Sequence, residues 1–296
     1  MQDFRMKTFL TVCECMNFTR AAEELNITQP GVSQHIRYLE NYYNTRLFCY
    51  EGKKLKLTKA GKLLRNASLT MMHDELSLKD RIEHSSEVRQ EIRFGATMTV
   101  GEVVMPKVLE RYLAQEPEVR VHMEVANTQE LLGRLDKGKI DFAIVEGFFK
   151  KSEYDFIKYS TEKYVAVCSP FYQFKKEPEK LEDLFHERLL LREPGSGTRE
   201  VLERFLDSQN YEAGDFEKTA EIGSLHTIKE LAKSGYGITF LYEIAVKKEL
   251  EKGELRLINL EKCEIYHDFT FIWPGGSIYG EFYKDLLSRF LGVDSV

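Results

Sequence analysis

The alternation of apolar and polar positions is most regular in residues 18–40, where it predicts two short helices separated by a tight break. Ala21, Ala22 and Leu25 have the spacing of the buried side of a first helix. Thr19 precedes them, and its hydroxyl suits an N-cap. The break after Leu25 then predicts a second helix in a new direction.

The second helix is predicted to begin after Thr28 and to bury Val32, Ile36 and Leu39. Pro30 suits its first turn, where no backbone N–H is needed. Its outer side carries side chains that can bond base edges or phosphates, namely Gln29, Ser33, Gln34 and Arg37. This pattern is typical of a helix-turn-helix whose second helix enters the major groove of DNA, and the alternative is an ordinary helical hairpin with a solvated face.

A lysine-rich hairpin is predicted after these helices. Residues 50–58 alternate Lys and Leu around a turn at Gly52, as the two strands of a wing would. Its lysines would face phosphates or the minor groove, and they are Lys53, Lys54 and Lys56. The DNA-binding candidates are therefore these three lysines, the outer residues Gln29, Ser33, Gln34 and Arg37 of the second helix, and Thr28 and Pro30 at its start.

Long helical periodicity without proline follows in residues 59–84, and a further helix is expected over residues 3–16. The apolar positions of the long helix trace a seam of the a/d type, interrupted by Asp74. The seam consists of Ala60, Leu64, Ala67, Met71, Leu78 and Ile82. It indicates a dimerisation helix, and a helix that merely connects two domains is the alternative.

Strands and helices alternate from Glu91 onward. Apolar runs such as residues 140–145 are typical of parallel strands covered on both faces. Predicted strands are residues 92–96, 119–125, 140–145, 164–168, 189–191, 237–241 and 269–273, and predicted helices are 97–113, 130–137, 199–208, 225–233 and 279–291. This order favours an α/β fold with doubly wound sheets.

Composition adds a division of charge between the two ends of the chain. The 296 residues suit two or three domains. The net charge is −6, yet residues 1–60 carry nine Lys and Arg against six Asp and Glu. The basic end is therefore the end with the DNA-binding pattern.

Several classes of protein are disfavoured by the same composition. No apolar run approaches the roughly 20 residues of a membrane span, and no secretory signal opens the chain. Five scattered cysteines suit a reducing compartment, so a cytoplasmic protein is expected. The seven histidines lack metal-ligand spacing, and none lies near a nucleophile motif. An enzyme, a metal and a cofactor are therefore not expected.

The motifs, taken in order, resemble the LysR-type transcriptional regulators over nearly the whole chain. The matching segments are Phe18–Ala22, Thr28–Pro30, Arg46–Phe48, Leu57–Gly61, Phe94–Thr97, Met105–Pro106 and Ser234–Ile238. Gln34 and Tyr50 depart from the family pattern, because many members carry Arg there. Asn44 replaces the usual Gly at the turn before the wing, which is tolerable because Asn accepts a left-handed backbone. Gln prefers adenine, so a guanine contact through residue 34 is not expected.

This resemblance implies three parts. They are a winged helix-turn-helix (1–58), a linker and dimerisation helix (59–89) and a periplasmic-binding-protein-like effector domain (90–296) of two α/β subdomains (I, 90–163 and 266–296; II, 164–265). The chain would cross between the subdomains near 160–165 and return near 264–268. The implied function is a sequence-specific transcriptional regulator. Its partners would be double-stranded promoter or operator DNA, further copies of itself in a homodimer or homotetramer, and a small-molecule effector; no membrane is expected.

A cleft between the implied subdomains would collect polar segments that open helices. Helix N-termini offer free N–H groups and a positive dipole end, which suit an anion. The effector-binding candidates are Thr97, Thr99, Thr128, Ser196, Gly197 and Thr198, with Gly223 and Ser224 as a further converging segment. Arg192 and Arg199 flank the glycine loop and could hold an acidic group, or could form surface ion pairs with Glu193 or Glu200.

Residues 192–199 resemble those of regulators of reductive sulfur assimilation and carbon fixation, which points to an inorganic anion or a small acidic metabolite. Two other functions stay open. A redox sensor would use Cys168 near the cleft and Cys263 near the return crossing, although both suit buried packing. The runner-up class is a solute-binding or enzymatic α/β protein whose N-terminal domain mediates only assembly.

Overall fold

The computed structural model describes residues 3–83, 91–261 and 263–291. The α-helices are α1 (Phe4–Cys15), α2 (Phe18–Leu25), α3 (Gln29–Tyr42), α4 (Lys59–Glu83), α5 (Met105–Gln115), α6 (Thr128–Asp136), α7 (Gly197–Ser208), α8 (Leu225–Lys233), α9 (Glu243–Glu251) and α10 (Gly280–Leu291). The strands are β1 (Phe48–Glu51), β2 (Lys54–Leu57), β3 (Glu91–Ala96), β4 (Arg120–Val125), β5 (Phe142–Val145), β6 (Tyr154–Cys168), β7 (Arg188–Leu191), β8 (Lys218–Glu221), β9 (Ile238–Tyr242), β10 (Arg256–Leu257) and β11 (Ile265–Pro274).

Helices α1–α3 and the β1–β2 hairpin form one small domain, the head, around its own apolar core. Thr28 caps α3 as predicted, because its hydroxyl accepts the N–H of Gly31 at 3.2 Å. The prediction of Thr19 as the cap of α2 is wrong. Asn17 caps this helix instead and accepts the N–H groups of Thr19 and Arg20. The helix thus starts one residue before Thr19.

Glu40 fastens α3 to the hairpin. Its carboxylate accepts the backbone N–H of Leu47 at 2.9 Å and the guanidinium of Arg46 at 2.8 Å, and the residue is 8% exposed. The predicted turns on either side of strand β1 are present, with Asn44 at φ 49° and Gly52 at φ 62°. Because a buried carboxylate needs its partners, Glu40 holds the wing at a fixed angle to α3.

Helix α4 joins the head to the rest of the chain and also lies against it. Four of its polar side chains form hydrogen bonds there: Arg65 with Asp136 (3.0 Å), Thr70 with the carbonyl of Gly275 (2.9 Å), His73 with the carbonyl of Ile140 (3.2 Å), and Asp74 with Ser277 (2.6 Å) and the N–H of Ile278 (3.0 Å). Asp74 is therefore a buried anchor that happens to lie within the predicted seam.

The predicted seam of α4 is wrong in its first two turns. Ala60 and Leu64 pack against the core of the head, because α4 begins in contact with that domain. The exposed apolar side of α4 instead begins at Leu63, which is 73% exposed, and continues through Met71 at 63%. Leu78 and Ile82 are exposed as the predicted seam requires.

Residues 91–291 contain one continuous sheet in the order β4-β3-β5-β11-β6-β9-β7-β8, with β10 added beside β6. We define subdomain I as β3–β5 with α5, α6 and α10, and subdomain II as β7–β9 with α7–α9. Strands β6 and β11 run antiparallel through both, as the implied crossings near 160–165 and 264–268 require. The predicted α/β fold class is confirmed.

Local structure departs from the expected helix over residues 97–113. A π-helical turn spans Val100–Val104 and α5 follows it. Pro106 lacks an N–H and cannot complete a regular α-helical turn with the preceding residues, which is a common cause of such irregularity. Strands β8 and β10 and helix α9 were not predicted. Within the described residues, the helices are all too short or too polar to cross a membrane.

Candidate functional site

The exposed side of α3 and the hairpin border an open groove on the head. Gln29, Ser33 and Arg37 line it from α3, and Tyr50 and Lys53 line it from the hairpin. The side-chain amide of Gln29 donates to the hydroxyl of Ser33 at 3.0 Å, so these two residues present one linked polar surface. Gln34 and Pro30 are exposed on the same helix.

The three wing lysines are all exposed but differ in their surroundings. Lys56 forms an ion pair with Glu51, which lies diagonally across the hairpin. Lys54 stands opposite Glu51 in the strand register, and Lys53 occupies the turn. Because an ion pair offsets the charge of Lys56, Lys53 and Lys54 offer the less compensated positive charge.

The cleft between subdomains I and II brings the predicted effector-binding residues together. Thr97 and Thr99 follow β3 in subdomain I, and Thr128 opens α6. Ser196 occupies the N-cap position of α7 in subdomain II without a capping hydrogen bond from its hydroxyl, and Gly197 and Thr198 begin that helix. The five Thr and Ser residues are at least 98% buried, and Gly197 is buried as well. The hydroxyls of Thr99 and Thr198 lie 3.4 Å apart across the cleft.

Glu146 lies at the centre of this cleft, although it was not among the predicted site residues. It follows β5, is 1% exposed, and accepts the hydroxyl of Thr198 at 3.0 Å through Oε1. Its backbone N–H donates to the hydroxyl of Thr97 at 3.2 Å. Burial raises the pKa of Glu146, while hydrogen bonds from Thr99 and Thr198 and the charge of Arg192 act to lower it. An acidic residue directly after a buried strand was the available signal.

Glycines permit the close approach of the two subdomains. A Cβ atom on Gly197 would lie 2.7 Å from the backbone nitrogen of Gly147, the residue after Glu146. A Cβ atom on Gly147 would in turn lie 2.2 Å from the hydroxyl oxygen of Thr128. Gly195, with φ 87°, rests beside the side chain of Asn127. The loops therefore touch directly, and side chains at these glycines would force them apart.

Several polar atoms of the cleft are buried without a hydrogen-bond partner in the described part of the chain. They are Oγ1 of Thr128, Oγ of Ser196, Oε2 of Glu146 and Nη1 of Arg192. Buried polar groups are normally satisfied, and an unsatisfied one costs free energy. The groups of Thr128, Ser196 and Arg192 can each donate a hydrogen bond. Glu146, when it is ionised, can act only as an acceptor.

The two arginines of the glycine loop have different positions. Arg192 is 3% exposed and forms two hydrogen bonds with Glu193, at 2.7 and 2.8 Å, which leaves Nη1 unused. Arg199 pairs with Glu203 at 2.6 Å and Glu221 at 2.7 Å. Of the two alternatives, the ion pair therefore fits Arg199, although its partners are Glu203 and Glu221 and not Glu193 or Glu200.

Gly223 and Ser224 do not join the buried group. Ser224 caps α8 by accepting the N–H of Thr227 at 3.2 Å, and Gly223 is exposed. Two tyrosines that were not predicted complete the cleft wall instead. Tyr164 donates to the carbonyl of Thr198 at 2.9 Å, and Tyr242 donates to the carbonyl of Glu146 at 3.4 Å.

Cys168 ends β6 and is buried, and Cys263 is partly buried. Burial raises the pKa of Cys168 to about 11 and that of Cys263 to about 11. The thiolate is the reactive form of cysteine, so a raised pKa disfavours oxidation at neutral pH. The structure therefore favours packing over redox sensing for both.

Comparison with known proteins agrees with this architecture. Residues 4–62 match the description "Bacterial regulatory helix-turn-helix protein, lysR family", and residues 85–282 match "LysR substrate binding domain". The RuBisCO operon transcriptional regulator of Acidithiobacillus ferrooxidans is 30% identical over 284 residues, which cover 92% of this chain and 87% of that protein. The HTH-type transcriptional regulator CysL of Bacillus subtilis is 28% identical over 269 residues, or 90% and 89% of the two chains.

Two solved structures share the fold. The regulatory domain of Synechocystis CcmR in complex with 2-PG aligns with a TM-score of 0.60 at 18% identity, over 69% of this chain and 96% of that one. Full-length LysG from Corynebacterium glutamicum with bound effector Arg aligns with a TM-score of 0.61 at 16% identity, over 100% of both chains.

A winged helix-turn-helix joined to a two-lobed substrate-binding domain defines a DNA-binding transcriptional regulator and not an enzyme. The matches at both ends of the chain identify which kind. This chain belongs to the LysR family of transcriptional regulators.

The thiols should differ in reactivity according to burial. At pH 8, a pKa of about 11 leaves roughly one Cys168 thiol in a thousand ionised. Brief alkylation of the folded chain at that pH, mapped by mass spectrometry, should therefore modify exposed Cys49 and spare Cys168. In a Cys49→Ser variant, hydrogen peroxide should leave DNA affinity unchanged. Alkylation of Cys168 as fast as of Cys49, or a peroxide-dependent loss of DNA binding in that variant, would favour a redox sensor.

Proposed function

We propose that the chain binds an interrupted palindrome in double-stranded promoter DNA as a homodimer, or as a tetramer of two dimers, under the control of a small anion held between its two effector subdomains. The division is a DNA-binding head at 1–58, a linker helix at 59–89 and an effector domain at 90–296. The carrying observation is the set of buried, unpartnered donors in the cleft, on Thr128, Ser196 and Arg192.

Charge supports the anionic choice. Ser196 occupies the N-cap position of α7 and Thr128 is the first residue of α6, so two helix N-termini contribute N–H groups and positive dipole ends from opposite subdomains. Arg192 adds a buried guanidinium with one unused nitrogen. We assign the effector contacts to Thr97, Thr99, Thr128, Ser196, Gly197 and Thr198, with Arg192 added. CcmR with 2-PG and LysG with arginine are consistent with a small molecule in this fold.

The head supports DNA recognition through α3 and the wing. We assign base contacts to Gln29, Ser33, Gln34 and Arg37, and phosphate contacts to Lys53, Lys54 and Lys56. Thr28 and Pro30 open α3 and present its N-terminus to the DNA. With an excess of only three positive charges in residues 1–60, each head alone should bind DNA weakly. Affinity should therefore depend on several heads binding together.

Substitutions in the head should separate base reading from phosphate binding. Gln34→Ala removes a base-edge partner, so it should cost about 1–3 kcal/mol at the cognate site and relax specificity there. Lys54→Ala should weaken binding to every sequence and reduce the slope of log K against log salt by about one.

Binding titrations at several salt concentrations, on cognate and scrambled duplexes, measure both effects. Lys252→Ala removes one exposed positive charge at the end of α9 and should change neither. Unchanged site preference in Gln34→Ala would remove this residue from the base-reading set.

Dimerisation is proposed to use the exposed apolar side of α4. Leu63, Met71, Leu78 and Ile82 lie within about 100° of one another around the helix, and none packs into the cores of the same chain. The double variant Met71→Asp, Leu78→Asp places two charges on this side and should yield monomers with much weaker DNA binding. Analytical ultracentrifugation gives the measurement. Phe171→Asp, at an apolar residue 88% exposed in subdomain II, should remain dimeric. A dimeric double variant would move the interface elsewhere.

The effector is tested by thermal stabilisation of the full chain with a panel of sulfate-, phosphate- and carboxylate-bearing metabolites. A ligand at 100 times its Kd should stabilise by about 2.7 kcal/mol, a shift of a few degrees in Tm. Ser196→Glu places a carboxylate beside the proposed site and should abolish the shift. Ser208→Glu, at the exposed other end of α7, should retain it. A shift produced by neutral apolar compounds alone would contradict the anion assignment.

A further inference from the structure

Glu146, when ionised, is an acceptor within a cleft of donors, and one of its two carboxylate oxygens has no hydrogen-bond partner among the described residues. Oε1 accepts from Thr198, which belongs to the opposite subdomain. Oε2 is buried and has no hydrogen-bond partner among the described residues. The residue is 1% exposed, so bulk water does not satisfy this oxygen. Whatever occupies the cleft beside Glu146 has to satisfy Oε2.

The groups around Glu146 do not cancel its effect on a bound anion. The charged and titratable neighbours that act on it are Arg192 and Glu193 after β7, Tyr164 on β6, Tyr242 on β9 and His267 on β11. Arg192 is already paired with Glu193, and the pKa values of Tyr164 and Tyr242 are raised by burial, so both tyrosines stay neutral. The pKa of His267 is lowered, chiefly by burial, and the ring is therefore neutral above its ordinary pKa.

We propose that Glu146 makes the cleft selective for an anion that carries its own hydrogen-bond donor, such as a hydroxyl, an ammonium or the proton of a monohydrogen phosphate, over a fully ionised anion such as sulfate. This inference rests on the anion site of the proposed function. The donor on the ligand bonds to Oε2, while Thr198 keeps its bond to Oε1. Thr128, Ser196 and Arg192 bond to the ionised oxygens of the ligand.

A fully ionised anion can enter only when a proton is supplied in another way. Two negative groups in contact share one proton, because both cannot stay ionised at short distance. Sulfate has no proton at neutral pH, so Glu146 itself must take one up before sulfate binds. Sulfate affinity should therefore fall as pH rises above the pKa of Glu146 in the free protein, by up to tenfold per pH unit. Monohydrogen phosphate brings its proton and escapes this loss.

The experiment compares inorganic phosphate with sulfate on the full-length protein. Isothermal titration at pH 7.5 should give a Kd for phosphate at least about tenfold below that for sulfate. In Glu146→Gln, the amide retains the acceptor for Thr198 and replaces the second oxygen with N–H donors. The two anions should then bind within about threefold of each other, and the Kd for sulfate should no longer depend on pH between 6.5 and 8.5.

Glu200→Gln is the matched control, because it removes the same charge from a partly buried residue in the first turn of α7, where Glu200 pairs with Arg204 at 2.8 Å. It should keep the preference for phosphate. Equal binding of the two anions by the wild-type protein, preference retained in Glu146→Gln, or preference lost in the control would each overturn the inference. If neither phosphate nor sulfate bound, the inference would also be overturned. The proposed function would still stand if organic acids raised the Tm, so failure of the inference and failure of the proposed function can be told apart.

Discussion

The antiparallel pairing of β6 with β11 is the interaction on which the effector half depends. Its register runs from Ile265 opposite Tyr164 to Pro274 opposite Tyr154, with an irregularity between Phe269 and Thr270. On one side of this irregularity β11 also pairs with β5, and on the other side β6 also pairs with β9. Between these regions the sheet narrows to a two-stranded ribbon, which twists more easily than a wide sheet. The angle between the subdomains is therefore set by a few residue pairs and by the contacts across the cleft.

Those cleft contacts combine a tight steric fit with an unusual charge. Gly147 and Gly197 allow backbone to touch backbone, and the Glu146–Thr198 hydrogen bond spans the same gap. Closure therefore buries a carboxylate that would otherwise be hydrated. A buried acid without full compensation is costly, which makes the closed form sensitive to what else enters the cleft. In the proposed function, ligand binding and closure would therefore be linked through the state of Glu146.

Local sequence patterns predicted the features that depend on local structure. The helix-turn-helix, the cap at Thr28 and the wing turn at Gly52 all follow from residues within one or two turns of each other. The left-handed turn at Asn44 was instead implied by the family resemblance. The polar helix starts of the cleft were found for the same reason, because a hydroxyl before a helix is a local signal.

The features that were missed depend on distant parts of the chain. Glu146 meets Thr198 across 52 positions, and an acid after a strand is ordinarily solvated. Leu64 has the right period for a dimer seam, but the head occupies that side of α4. Asp74 was interpreted as an interruption of the apolar seam of α4, because its partners, Ser277 and Ile278, lie about 200 positions away in the sequence. The role of Arg199 stayed open between a ligand contact and an ion pair, because its carboxylate partners on α7 and β8 could not be chosen from sequence.

The fastening of α4 at two places has a mechanical consequence. The head contacts α4 at Leu64 and Ser68. Subdomain I contacts the same few turns of α4, at Arg65, Thr70, His73 and Asp74. A rotation of subdomain I would then carry α4, and with it the head, in the same direction. In a dimer whose two recognition helices stand about 34 Å apart, each lies about 17 Å from the symmetry axis. A rotation of about 10° at that radius would move each helix by about 3 Å, in the direction perpendicular to the line that joins the two helices. Small angular changes in the effector half would therefore become displacements of the recognition helices across the groove of the DNA.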